Sequence, residues 1–142
     1  MYNYAIRVEQ DGSTPGLTVS CRDLPELNSY GRDKEHSISE TLDAIDSALS
    51  IYVDQRRVIP EASDPKAGEH IIYLPATTVA KIALWNSLME RRMRRVDLCE
   101  LLGIHKAQAY RLVDFLHNSR MKQLETALAA FGKRVEVVVH AA

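Results

Sequence analysis

The chain has 142 residues, of which 46% are hydrophobic and 26% charged, with a formal net charge of −1. That apolar share supports a hydrophobic core in one mid-sized domain or two small ones, and no run approaches the ~18 apolar residues that cross a bilayer. Met1 to Glu9 alternates in polarity and carries Arg7 and Glu9, unlike a signal or transit peptide, while Cys21 and Cys99 have neither a CxxC partner nor a histidine at ligand spacing, which argues against a disulfide framework or a zinc site. The expectation is a soluble, cytoplasmic protein with both cysteines reduced in the core, no metal, no cofactor and no membrane partner.

Tyr2, Tyr4, Ile6 and Val8 alternate with Asn3, Ala5, Arg7 and Glu9, the period of a strand. The turn residues Asp11-Gly12-Ser13-Thr14-Pro15-Gly16 break it, and Leu17 to Arg22 is expected to return as the second arm of a hairpin. A third short strand is placed at Asn28 to Gly31, beyond the Asp23-Leu24-Pro25 bend. Ser37-Ile38-Ser39-Glu40 fits a capping box. The helix starting there buries Ile38, Leu42, Ile45, Leu49 and Val53, leaves Asp43, Asp46, Asp54 and Arg57 in solvent, and ends before Ile59-Pro60. A loop over 61–69 leads to a strand at His70 to Leu74.

Pro75 marks the expected boundary between a β-β-β-α-β domain at 1–74 and a mostly helical domain at 75–142. From Thr77 to about Arg92 no Gly or Pro interrupts a band of Val79, Ile82, Leu84, Trp85, Leu88 and Met89. A helix is predicted there.

Charge divides along the chain. Residues 1–90 carry eight Lys and Arg against fourteen Asp and Glu, a balance of −6; residues 91–134 carry ten against four, a balance of +6. Partners of opposite sign are implied, with a polyanion for the basic part.

That basic part contains a helix-turn-helix pattern. Asp97 to Leu102 places Leu98, Leu101 and Leu102 on one helical face, Gly103 suits a left-handed turn, and His105 to His117 is read as a second helix burying Ala109, Leu112, Val113 and Leu116. The outward residues near the start of that helix are Lys106, Ala107, Gln108, Tyr110 and Arg111. Glutamine pairs bidentately with adenine, arginine or lysine addresses guanine or phosphate, and tyrosine donates to phosphate or packs on a thymine methyl. Arg94 and Arg95, with Arg91 and Arg92, would add affinity that does not depend on base sequence.

After Ser119-Arg120 another helix buries Leu124, Ala127, Leu128 and Phe131 and stops at Gly132. Arg134 to Val139 alternates like a strand. Such a strand needs a partner, either the sheet of its own chain or its twin in a second chain, and the twin pairing would build the two-fold dimer that a palindromic operator requires. No carboxylates are placed to converge on metal ions, and His36, His70, His105, His117 and His140 lie far apart in sequence without a partnered nucleophile, so the protein is not expected to be an enzyme.

Several segments, in order, resemble the HicB family of antitoxins from type II toxin–antitoxin systems, in the variant with a C-terminal helix-turn-helix. They are Asp23-Leu24-Pro25-Glu26-Leu27, Ser29-Tyr30-Gly31, Ala44-Ile45, Ile59-Pro60-Glu61-Ala62-Ser63, Tyr73-Leu74-Pro75, Asp97-Leu98 through Leu102-Gly103-Ile104, Tyr110-Arg111-Leu112, and Ala127-Leu128 through Phe131-Gly132-Lys133-Arg134. The resemblance implies an α+β fold: a small, partial ribonuclease H-like sheet with one covering helix, then a helix-turn-helix domain ending in a strand. It also implies a small basic HicA-like messenger-RNA interferase as partner, beside the operator DNA expected from the helix-turn-helix and the homodimer or higher homo-oligomer expected from the terminal strand. Ala62 stands where the family commonly has proline, and Cys99 where it often has alanine. No toxin-contacting residue is assigned. The alternative expectation is a stand-alone repressor whose N-terminal domain is an unrelated sensor.

Overall fold

The computed structural model describes residues 1–10, 12 and 15–141. Asp11, Ser13 and Thr14 of the expected turn lie outside the described residues. Strands β1 (Ala5–Gln10), β2 (Leu17–Cys21) and β3 (Asn28–Gly31) precede helix α1 (Lys34–Asp54), and strand β4 (Glu69–Ile71) follows it. The four strands form an antiparallel sheet in the order β3-β2-β1-β4. Register places Ile6 opposite Cys21 and Val8 opposite Val19, and period-two alternation turns these four toward the same face. Ile6, Val19 and Cys21 are buried there with Ile45, Leu49 and Tyr52 of α1.

The start of α1 differs from the capping box expected at Ser37. Asp33 is the N-cap, with its carboxylate accepting from the His36 N–H at 2.8 Å. Ser37 instead lies inside the first turn, buried, and its hydroxyl donates to the Asp33 carbonyl at 2.7 Å. Gly31 explains the tight connection: a Cβ there would sit 2.3 Å from Ser37 Oγ and 2.4 Å from its backbone nitrogen. β3 and α1 approach too closely for any side chain at that point. Asp46, expected in solvent, is half-buried. β4 stops at Ile71, short of the expected Leu74, although the Ile72 N–H still reaches the Tyr4 carbonyl at 2.8 Å.

Helices α2 (Ala76–Glu90), α3 (Arg95–Leu102), α4 (Lys106–Leu112) and α5 (Met121–Ala129) complete the chain. α2 is buried on nearly every side, from Ala80 through Leu88 with only Ala83 half-exposed, as expected of a helix that has no polar face. On one flank Trp85 Nε1 donates to the Arg57 carbonyl at 2.8 Å, and on another α2 packs against α5. One continuous core runs from Tyr4 and Ile6 through α2 to Leu124 and Phe131. Among the described residues no helix is long and apolar enough to cross a membrane.

Three C-terminal expectations need correction. α4 ends at Leu112 instead of His117, so Leu116 is 69% exposed while Phe115 takes the buried place. Leu101 is likewise exposed, although Leu98 and Leu102 face inward. The stretch 134–141 forms no strand: Val137, Val138 and Val139 are 66%, 72% and 87% exposed. Alternation satisfies the pleat, but a strand exists only where an edge is beside it to accept hydrogen bonds.

Candidate nucleic-acid interface

α3 and α4 meet across a turn built by Gly103, whose φ of 64° and ψ of 36° place it in the left-handed region. The turn is closed by the Ile104 N–H donating to the Cys99 carbonyl at 3.2 Å, and Cys99 Sγ lies 2.7 Å from the Ile104 carbonyl oxygen. Cys99 is half-buried. Its thiol is occupied inside the turn. α3 starts where Asp97 accepts from the Arg94 backbone N–H at 2.7 Å, and α4 starts where Gln108 Oε1 accepts from the His105 N–H at 3.2 Å. Each is the back-reaching half of a capping box. The Arg94 N–H and guanidinium hold the Asp97 carboxyl below its usual range.

Inward, α4 buries Ala109 and Leu112, and Val113 follows them into the core. The other side is open: Lys106, Ala107, Gln108 and Arg111 are all exposed. Tyr110 is half-buried, with its ring under two cations, the Arg95 guanidinium 4.6 Å and the Lys106 ammonium 5.4 Å from the ring centre. This cation–π contact brings the start of α3 and the start of α4 into one patch. Arg94 points elsewhere, to Asp97 at 3.3 Å. Arg91 lies over the Phe131 ring at 4.7 Å. A cleft of about 380 Å³ beside α4 is lined by Arg111 and Lys122 together with Leu102, Ile104 and Ala127. The arrangement presents hydrogen-bond donors and positive charge on the exposed face of a helix whose other face is buried.

Sequence reasoning overlooked two residues of the supporting framework, Lys81 and Asn86, both buried on α2. The available signal was chemical: polar side chains on a helix without a polar face must find buried partners.

In the N-terminal part of the chain two of the segments singled out in sequence meet. Asp23 accepts from the Ser63 hydroxyl at 2.6 Å and from its backbone N–H at 2.8 Å. Among the described residues no group of three or more His, Cys, Asp or Glu is placed to hold a metal ion.

A family model described as the HicB-like antitoxin of bacterial toxin–antitoxin systems matches residues 3–83. Antitoxin HicB of Pseudomonas fluorescens (strain Pf0-1) is 39% identical, covering 100% of this chain and 97% of that protein. The chain belongs to the HicB-like antitoxin family. Antitoxin HicB 2 of Photorhabdus laumondii subsp. laumondii is 31% identical over 95% of this chain and 94% of its own length. Antitoxin HicB of Escherichia coli (strain K12) is 25% identical over 87% and 90%.

Membership in the HicB-like family makes this an antitoxin of a toxin–antitoxin system, whose partner is a toxin. It overturns the alternative of an unrelated sensor domain, because the matched residues 3–83 are the sheet, α1 and the first half of α2. The helix-turn-helix lies beyond those residues, within the full-length similarity to the Pseudomonas antitoxin.

Proposed function

We propose that residues 1–74 neutralise a HicA-like messenger-RNA interferase and that residues 95–117 bind operator DNA to repress the antitoxin's own operon. The observation that carries the DNA-binding reading is the outward face of α4. Lys106, Gln108 and Arg111 are exposed at the start and end of one short helix, within a segment whose balance is +6. Arg95 adds phosphate affinity, and Tyr110, steadied by it, sits at the edge of the same patch, whereas Arg94 is engaged with Asp97. The −6 balance of residues 1–90 suits a basic toxin.

Operator recognition by this motif requires a two-fold pair of helices about one DNA turn, roughly 34 Å, apart. The second copy is supplied by a homodimer or higher homo-oligomer in which the exposed valines of 134–142 pair with their twins, giving the stretch the edge it lacks in one chain. Binding of this kind needs no catalytic group, and the protein acts as a regulator and not as an enzyme.

The test is co-expression of the chain with its adjacent gene, followed by binding of the purified product to a duplex from immediately upstream of the operon. Co-purification of a small basic ribonuclease and salt-sensitive, upstream-specific binding are expected. Failure of either removes that half of the reading.

A further inference from the structure

Lys81 is 3% exposed, yet its ammonium has no carboxylate partner within ion-pair distance among the described residues. It donates instead to three backbone carbonyls: Arg111 at 3.2 Å, Asp114 at 2.6 Å, and His117. An ammonium has three protons, and here each has an acceptor. All three carbonyls belong to the end of α4 and the turn that follows it. Helix ends leave such carbonyls without partners and concentrate negative potential on them. Most helices settle this with a glycine or a capping side chain of their own, but after α4 the chain runs Val113-Asp114-Phe115. The Arg111 and Asp114 carbonyls also accept the Asp114 and His117 N–H groups, each at 3.2 Å, and the Lys81 ammonium adds a charged donor from α2 to that turn.

α4 has seven residues, too few to be a stable helix without tertiary support. Its setting depends on the burial of Ala109, Leu112 and Val113 and on this cation. The same α2 is anchored five residues later to the segment between α1 and β4, where Asn86 bonds both backbone groups of Ile59. Burial pushes the Lys81 pKa below its ordinary value, opposed in part by Asp114 and by Asp46 of α1.

We infer that Lys81 is a positioning residue for DNA recognition: it sets the angle at which α4 leaves the core, and so the register of Gln108 and Arg111 on base edges, without touching nucleic acid. This rests on α4 being the helix that faces DNA.

The experiment compares the full-length wild type with Lys81→Met, which removes every donor, and Lys81→Gln, which restores two. Circular dichroism verifies folding, and affinity is measured for the upstream duplex and a shuffled duplex of equal length across a salt series. In Lys81→Met the ratio of the two affinities should fall about tenfold, the scale of one disrupted base-pair contact. The salt slope should stay unchanged, since no phosphate contact is lost. Lys81→Gln should recover part of the ratio, and amide exchange over residues 113–118 should accelerate in Lys81→Met alone. An unchanged ratio would overturn the inference, as would a shallower salt slope, which marks direct phosphate contact, or an equal loss on both duplexes, which marks general unfolding. If Lys81→Met does not fold, the comparison is made with Lys81→Gln, where a lowered ratio supports the inference and a wild-type ratio overturns it. A wild type that cannot distinguish the two duplexes refutes α4 as the reading helix, a failure separable from any confined to the variants.

Discussion

The side-chain amide of Asn86, on α2, pairs with both backbone groups of Ile59: Oδ1 accepts from the N–H at 2.9 Å and Nδ2 donates to the carbonyl at 2.9 Å. This imitates a step of a sheet ladder at a place where no strand is available. Asn86 is 8% exposed and Ile59 1%, so water is a poor substitute. Asn86→Ala should therefore cost about 2–5 kcal/mol, since two buried backbone groups lose their partners. A urea midpoint within error of the wild type would contradict this account.

Gly103 is held at a φ of 64°, and a Cβ added there meets nothing within 4 Å. The penalty for Gly103→Ala is thus purely one of backbone conformation, about 1–2 kcal/mol. Gly103→Asn should lose less, because asparagine tolerates the left-handed region. Thermal unfolding of the pair separates the two effects; equal losses would point to crowding at the turn.

Glu69 lies on β4 and receives Arg22 at both carboxylate oxygens, each at 2.8 Å, with its side chain 1% exposed. The guanidinium and the Lys66 backbone N–H lower its pKa from 4.5 to about 2. In the unfolded chain the carboxylate takes a proton near 4.5, whereas in the folded protein it resists until about 2. Its contribution is therefore complete above 4.5 and lost as pH falls toward 2. Stability measured against pH for the wild type and Glu69→Gln should differ above that window and converge within it. Parallel curves would show that the pair does not govern acid sensitivity.

Arg111 has an exposed side chain, but its carbonyl is committed to Lys81 and to the Ser119 hydroxyl at 3.3 Å. Arg111→Ala leaves those backbone bonds in place. It should weaken operator binding by about 1–3 kcal/mol without lowering the melting temperature. Unaltered operator affinity would take Arg111 out of the interface.

Removing residues 134–142 takes away the exposed valines and leaves Lys133, which holds Ser87 Oγ at 2.7 Å and Glu90 at 3.3 Å. The truncated chain should fold and be monomeric by light scattering if twin pairing of that stretch makes the dimer. A truncated product that remains dimeric places the two-fold contact on another surface.

Periodicity and turn chemistry in the sequence were enough for β2, β3 and the helix-turn-helix, because each depends on neighbours a few residues away. Gly31 closes β3, Gly103 makes the turn, and Leu98, Ala109 and Leu112 mark inward faces. The division of charge was equally legible, since it needs only counting. Tertiary structure decided the rest. Asp33 displaced Ser37 as the cap because β3 delivers the chain against α1, Phe115 displaced Leu116 because α4 ends early, and the last valines found no edge. Lys81 and Asn86 show the reason most clearly. A polar side chain is buried stably only where distant segments bring it the right backbone atoms, and a pattern read along one helix contains no record of which carbonyls arrive from thirty residues away.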